Sequence, residues 1–142
     1  MFLNTLNGNL VKLQKIETGD LEKIFVVENQ LPSEQFNLNN LESREIAYWS
    51  IYSKENNTVI GVIGVTSKLD PNYILFRLVN QSRYSDKIFS EVFELLVDYL
   101  KYRKLTGKYI VNLRDTTFGK KNVLKQIGFV HNDSDDHWLL EL

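Results

Sequence analysis

The residues best suited to chemistry stand at positions 82–87, SRYSDK, where an apolar, strand-like run meets a long amphipathic helix. A strand that leads directly into a helix is a common anion site, because the first N–H groups of a helix have no intrahelical partner and carry partial positive charge. Such a turn normally contains glycine, and this one has none. Residues 82–87 are therefore either an altered phosphate site or only a connection.

Composition excludes several other kinds of site. The chain has no cysteine, so it has no disulfide, no thiolate metal site and no cysteine nucleophile. Its two histidines, His131 and His137, lie six residues apart without other nitrogen or sulfur ligands, which is a poor arrangement for zinc. We expect no metal site.

Size and charge predict one globular domain that spans residues 1–142. The chain is 43% hydrophobic with a formal net charge of −1, and one core is enough at this size. The near-neutral charge argues against a nucleic-acid partner. The sequence shows no apolar run of about 18 residues and no signal-peptide layout at its start, so we expect no membrane association and a cytoplasmic location.

The first half of the chain predicts a strand, a helix and then a three-stranded meander. NLVKLQKI alternates like a strand, and the following stretch has Thr18 as a helix N-cap and Pro32 just beyond its end. Residues 33–45 are polar and could form a loop or a short helix. Three β-rich runs follow, IAYWSIYS, TVIGVIGVTS and YILFRLV, and Asn56-Asn57 tolerates the positive φ of a tight hairpin.

The second half changes to helical spacing. An apolar stripe runs from Ile88 through Val92 and Leu95 to Tyr99, and it is typical of a buried helix face rather than of a ligand pocket. A strand in GKYIVNLR, a helix that ends at Gly128 and a final hairpin complete the order. A strand, a crossover helix and the next strand form a parallel unit. We therefore predict an α+β fold with a mixed sheet of about six to seven strands flanked by helices.

This order of elements, together with three local matches, resembles the GNAT family of N-acetyltransferases, most closely the branch that acetylates protein N-termini and small amines. SEVFELLVDYLKY is similar to the family's central helix, with Glu91, Asp98 and Tyr99 at its characteristic positions. NVLKQIGFV is similar to its penultimate helix and Gly-Phe signature, at Gly128 and Phe129. LVKLQKIETGDLEKIF resembles its opening strand and helix. The resemblance covers nearly the whole chain and implies a GNAT-like three-layer fold.

The resemblance implies acetyl-CoA as the cofactor, held by a splayed strand and by residues 82–87. The family's loop has the form Gln/Arg-x-x-Gly-x-Gly/Ala, and its defined positions fall on Ser82, Ser85 and Lys87, where none is kept. A non-glycine residue in a left-handed conformation loses about 1–2 kcal/mol, and Asp86 adds negative charge beside a polyphosphate. A charge-assisted contact from lysine or arginine contributes roughly 1.5–3 kcal/mol in the other direction. The residues assigned to the cofactor by resemblance are Leu78, Val79, Arg83, Tyr84, Ser85, Asp86, Lys87, Ile88, Thr117 and Lys120.

The family's catalytic acids are not matched. Its tyrosine position falls on Leu124, and the Asn-x-x-Ser positions of another branch fall on Thr117 and Lys120. A backbone N–H near Leu78 or Val79 would still steady the developing oxyanion, because it does not depend on the side chain.

Glu45, at the entrance to IAYWSIYS, is the candidate general base, because an incoming amine needs a carboxylate or a histidine within reach. Tyr48 and Trp49 could line the acceptor groove. The alternative is that Glu45 is a solvated charge and that the two aromatic residues form cross-strand packing.

Two functions remain open from the sequence. The first is an N-acetyltransferase that transfers acetyl from acetyl-CoA to a primary amine of a small molecule or peptide by direct attack. The second is a catalytically inactive GNAT-fold protein that serves as a binding or regulatory domain. The divergent loop favours the second, and the frequency of activity in this fold favours the first. Several family members pair through their C-terminal strands, so the resemblance also allows a homodimer.

Overall fold

The structure, a computed structural model, describes residues 5–16, 46–66, 70–78, 86–113, 118–131 and 137–142. These residues form eight strands and two helices. The strands are β1 (Thr5–Asn7), β2 (Val11–Lys15), β3 (Ile46–Ser53), β4 (Thr58–Thr66), β5 (Asn72–Leu78), β6 (Lys108–Asn112), β7 (Val130–His131) and β8 (His137–Glu141). The helices are α1 (Asp86–Tyr102) and α2 (Phe118–Ile127).

All eight strands belong to one sheet, in the order β1-β2-β3-β4-β5-β6-β8-β7. Neighbouring strands are antiparallel except β5 and β6, which are parallel. Because α1 connects β5 to β6, these three elements form the predicted crossover unit. The predicted α+β fold with a mixed sheet is confirmed. The sheet has one strand more than the six to seven predicted. This strand is β1, which has three residues and is too short to show a periodic pattern.

Local residue chemistry sets the ends of several elements as predicted. Asn57 has a φ of 55° in the turn between β3 and β4, which confirms the hairpin expected at Asn56-Asn57. Gly128 has a φ of 122°, and its N–H donates to the carbonyl of Leu124 at 3.1 Å. This left-handed residue closes α2 as the expected C-terminal cap.

One side of the sheet, here called the helical face, packs against α1 and α2. Phe76 of β5 lies against Phe89 and Phe93 of α1, with ring centroids 5.5 and 4.9 Å apart. Farther along, Trp49 of β3 meets Tyr99 of α1 edge to face at 5.8 Å. Burial of these large rings fixes α1 across the central strands. Of the apolar stripe predicted for this helix, Val92 and Tyr99 are buried, and Ile88 and Leu95 are half-buried against the same core.

The side of the sheet away from α1 and α2 is called the opposite face. It carries Tyr48, Val62 and Leu75, which alternate with residues of the helical face. Within the described ranges, no helix is long and apolar enough to cross a membrane. The helix predicted after Thr18 and the polar stretch 33–45 lie outside the described residues.

Candidate functional site

Strands β5 and β6 are paired at one end only. Their parallel register contains three pairs, from Asn72 opposite Tyr109 to Ile74 opposite Val111. β5 then continues to Leu78 alongside β4, whereas β6 ends at Asn112 and pairs with no residue of β5 beyond Ile74. The parallel pairing therefore stops before the carboxyl ends of the two strands, and the region between those ends is called the strand gap below. Since α1 follows β5 and α2 follows β6, both helices begin at this edge of the sheet.

A row of side chains crosses the opposite face at the level where the strand gap opens. The strand register places Tyr48 opposite Gly64, and Gly64 opposite Leu75. On the other side of the gap, Asn112 is the first residue beyond the last parallel pair, and it lies opposite His137 of β8. The row thus brings an aromatic hydroxyl, an amide and an imidazole to one level of the sheet.

Gly64 allows the ring of Tyr48 to lie across the sheet. A Cβ at position 64 would stand 2.5 Å from both Cδ1 and Cε1 of Tyr48, so the ring occupies the space that a side chain would need. The ring therefore leans from β3 over β4, in the direction of β5. Tyr48 is only 4% exposed, and its burial raises the pKa of the hydroxyl well above the ordinary value. The hydroxyl consequently stays neutral even at the alkaline pH where an exposed tyrosine begins to ionise.

Asn112 contributes an unusual polar atom. Its Oδ1 is shielded from solvent and has no hydrogen-bond donor in the described part of the chain. Buried side-chain oxygens are nearly always paired, and an unpaired one costs about 1–3 kcal/mol. Sequence reasoning missed Asn112, because its place beside the strand gap depends on where the pairing of β5 and β6 stops.

The beginnings of α1 and α2 are in contact. The carboxylate of Asp86, the first residue of α1, lies against Gly119 in the space that a Cβ would occupy there. Because Gly119 is in the first turn of α2, the negative charge lies near the positive end of that helix dipole. The next two residues of α1 are Lys87, which is exposed, and Ile88, which is half-buried.

Lys120 lies in the first turn of α2 and is only 7% exposed. Its Nζ is 5.7 Å from the centroid of the Phe89 ring of α1, within range of a cation–π interaction. The ammonium group therefore faces α1. Its predicted contact with phosphate stays a prediction.

The other predicted site residues fall into two groups. Leu78 ends β5 with its side chain buried in the core, so the polar groups it offers are those of its backbone. Leu124, at the family's acid position, is fully buried in the same core and supplies packing. The remaining predicted residues lie outside the described ranges, and their roles stay predictions: Glu45, Val79, Arg83, Tyr84, Ser85 and Thr117.

Glu91, which carries the match to the family's central helix, ties α1 to the first hairpin. Its Oε1 accepts hydrogen bonds from the N–H groups of Leu10 at 2.8 Å and Val11 at 3.0 Å. The carboxylate also contacts Gly8, in the space that a Cβ would need there. Glu91 therefore holds the β1–β2 turn, a role that no local sequence pattern indicated.

Comparison with known proteins identifies the fold. No protein-family model and no curated protein matches this chain, but solved structures do. The ribosomal-protein-S5-alanine acetyltransferase from Vibrio fischeri superposes with a TM-score of 0.62 at 12% identity, covering 95% of this chain and 93% of that chain. The dodecameric spermidine N-acetyltransferase from Vibrio cholerae gives 0.66 at 11% identity, covering 94% and 95%. A GNAT-family acetyltransferase from Bacillus anthracis gives 0.60 at 13% identity, covering 96% and 98%.

The chain thus has the fold of the GNAT acetyltransferases, as the resemblance of its sequence predicted. Superposition at these TM-scores, with identities of 11–13%, establishes a shared fold alone. Activity, acceptor and catalytic residues have to be argued from the site itself, since one fold can carry several functions.

Proposed function

We propose that this chain is an N-acetyltransferase that transfers the acetyl group of acetyl-CoA to a primary amine. The strand gap carries the proposal: the parallel pairing of β5 and β6 stops at the edge where both helices begin. An extended, amide-bearing thioester arm could lie in this gap like an added strand. Backbone groups on the gap side of β5, such as those of Leu78, would serve as its partners.

The two ends of the proposed site match the phosphate end and the thioester end of acetyl-CoA. The phosphate groups would lie at the N-terminus of α1, where helix N–H groups and the exposed ammonium of Lys87 offer positive charge. On the helical face, Phe76 and Phe89 close the wall beside β5 and exclude water from the thioester. The residues that the structure describes therefore fit acetyl-CoA as a substrate.

The proposed transfer is a direct displacement. The amine nitrogen forms a bond to the acetyl carbon while the carbon–sulfur bond breaks. The nitrogen loses one proton and the sulfur gains one, so the products are an amide and a free thiol. A backbone N–H near Leu78 would donate to the acetyl oxygen as negative charge develops there. Glu45 is the candidate that receives the proton from the amine.

The acceptor is proposed to be a primary amine of a small molecule or a peptide. Two structural neighbours support these two classes of acceptor, because one is a ribosomal-protein acetyltransferase and the other is a spermidine acetyltransferase. Pairing of two copies through the C-terminal strands stays a prediction.

The contact of Asp86 with Gly119 favours a second candidate function. This carboxylate places a negative charge close to the region proposed for the phosphates and would repel them. A chain that had lost the reaction would then use the same fold as a binding or regulatory domain.

Titration with CoA and acetyl-CoA separates the two candidates. A ligand at 100 times its Kd stabilises the folded state by about 2.7 kcal/mol, which corresponds to a Tm increase of about 8 °C for a chain of this size. We expect such an increase with both compounds, and release of free thiol when an amine is added. Absence of any Tm change at millimolar concentration would rule out the transferase and leave the binding domain.

A pair of lysine variants tests the location of the phosphates. Lys87 and Lys101 are both exposed on α1, in its first and last turns respectively. Lys87→Ala is expected to weaken CoA binding by about 5-fold, and less at high salt, because it removes a charge at the phosphate end. Lys101→Ala removes the same charge at the far end and should leave the affinity unchanged. Equal effects of the two variants would argue against phosphate binding at the start of α1.

A further inference from the structure

We infer that the side-chain oxygen of Asn112 accepts a hydrogen bond from the attacking amine and so positions the acceptor at the strand gap. This inference rests on the proposed transferase function and adds to it the residue that receives the second substrate. No motif in the sequence assigns a role to Asn112.

The packing of the sheet decides from which side an amine can arrive. On the helical face, the rings of Phe76, Phe89 and Phe93 pack together beside the strand gap. A thioester in the gap is therefore shielded on that side. The second substrate has to approach from the opposite face, where the row from Tyr48 to His137 lies.

Asn112 is placed to meet a reactant that approaches from this side. It is the first residue of β6 beyond the last pair with β5, so it borders the gap at the level where the pairing stops. None of its neighbours along and across the row donates to it. Leu75 and Ile110 are apolar, and Gly64 has no side chain. Tyr48 and His137 carry donors, but neither donates to Asn112, whose Oδ1 has no hydrogen-bond partner among the described residues.

The chemistry of the amide matches a neutral amine. An amide oxygen accepts hydrogen bonds, and the Oδ1 of Asn112 is buried without a donor among the described residues. A neutral primary amine has two N–H donors and one lone pair. When one N–H donates to Asn112, the lone pair stays available to attack the acetyl carbon. An uncharged acceptor also avoids stabilising the ammonium form of the amine, which cannot attack.

The test is the Asn112→Leu variant, which replaces the amide by an apolar side chain of similar size. The amine probes are spermidine and a short peptide with a free N-terminus. We expect the KM for the amine to increase by about 10-fold or more, because one hydrogen bond in the complex is lost. The Tm change on adding CoA should equal that of the wild type. The Tm of the unliganded protein should increase by about 3 °C, because an unpaired buried oxygen has been removed.

Two further variants test whether a change in KM comes from loss of the amide of Asn112 rather than from a change in packing. Ile110→Leu changes a side chain on the same face of β6, where β5 still pairs with it, and should leave the KM for the amine unchanged. Asn112→Ala removes the amide without adding bulk and should raise that KM as Asn112→Leu does.

The outcomes distinguish failure of the inference from failure of the proposed function. An unchanged KM for the amine in Asn112→Leu, together with a normal CoA response, would overturn the role of Asn112 and leave the transferase standing. A lower Tm with an unchanged KM would overturn it as well, since it would indicate an ordered internal water as the natural partner of Oδ1. A wild-type protein that shows no response to CoA would overturn the proposed function and this inference together.

Discussion

Two glycines face side chains that differ in how easily they can move. A Cβ at Gly64 would meet the ring of Tyr48, which is buried and packed over β4. A Cβ at Gly119 would meet the carboxylate of Asp86, which is exposed and lies at the end of a short side chain. The contact at Gly119 is the closer of the two, but its carboxylate can rotate into solvent. The ring has no empty space to enter, since protein interiors are close-packed.

We therefore expect Gly64→Ala and Gly119→Ala to differ in stability. Gly64→Ala should lower the free energy of unfolding by about 2–3 kcal/mol, the cost of overpacking a buried site. Gly119→Ala should change it by less than about 1 kcal/mol, because alanine favours the helix and Asp86 can turn away. Urea unfolding of the two variants measures both values. Equal losses would show that Asp86 is held as firmly as Tyr48.

At the scale of elements, Glu91 joins two parts of the chain that are far apart in sequence. One carboxylate oxygen on α1 receives two backbone N–H groups of the β1–β2 turn. Val11 is fully buried, so its N–H has no access to water if the carboxylate is removed. A short hairpin at the edge of a sheet has little stability of its own. The contact therefore adds stability to the hairpin of β1 and β2.

Glu91→Ala is expected to lower the free energy of unfolding by about 2 kcal/mol, because it leaves a buried N–H without a partner. Glu91→Gln keeps an oxygen acceptor and should lose about half as much. The control is Glu94→Ala on the same helix, where an exposed carboxylate accepts a hydrogen bond from the hydroxyl of Ser90. Urea unfolding measures all three. A loss in Glu94→Ala as large as that in Glu91→Ala would mean that the effect comes from the charge of α1 rather than from the hairpin.

Most elements could be predicted from the sequence because their signals are local. The stripe from Ile88 to Tyr99 fixes the buried side of α1, and Asn57 marks the turn between β3 and β4. The strand gap and the roles of Asn112 and Glu91 could not, because they depend on which residues of distant strands pair. β3 and β4 even shift their register near Ile51. Such a shift changes every later cross-strand neighbour and leaves no trace in the alternation of either strand alone.

At the scale of the whole molecule, one face of the sheet provides packing and the other carries the polar groups of the proposed site. The helical face holds the aromatic core that fixes α1. The opposite face holds the row at the strand gap, where Tyr48 and Asn112 place polar atoms in buried positions. Burying these groups costs stability that the aromatic core offsets. Sites built in this way commonly trade stability for activity, and the gain in Tm expected for Asn112→Leu is one form of that trade.

Both faces also bury a tyrosine, which makes the stability of the whole chain sensitive to alkaline pH. Burial raises the pKa of Tyr48 on the opposite face and of Tyr109 on the helical face. The hydroxyl of Tyr109 donates a hydrogen bond to the carbonyl of Leu105 at 2.8 Å. Below pH of about 10, tyrosine is protonated in both the folded and the unfolded chain, so the free energy of unfolding does not depend on it. Above that pH, tyrosine ionises in the unfolded chain but stays neutral in the fold. The folded state therefore loses stability as the pH rises toward the raised pKa values.

We expect the free energy of unfolding to fall by up to about 1.4 kcal/mol per pH unit for each buried tyrosine above pH of about 10. Urea unfolding at several values between about pH 9 and pH 11 measures the slope. Tyr48→Phe should reduce the slope by the contribution of one buried tyrosine, since phenylalanine cannot ionise in the folded or the unfolded state. Tyr102→Phe is the matched control, because it removes the hydroxyl of a tyrosine that is 79% exposed and leaves both buried rings in place. If Tyr48→Phe and Tyr102→Phe gave the same slope, the ring of Tyr48 would have to be open to water in solution, and the row at the strand gap would not be the buried arrangement described above.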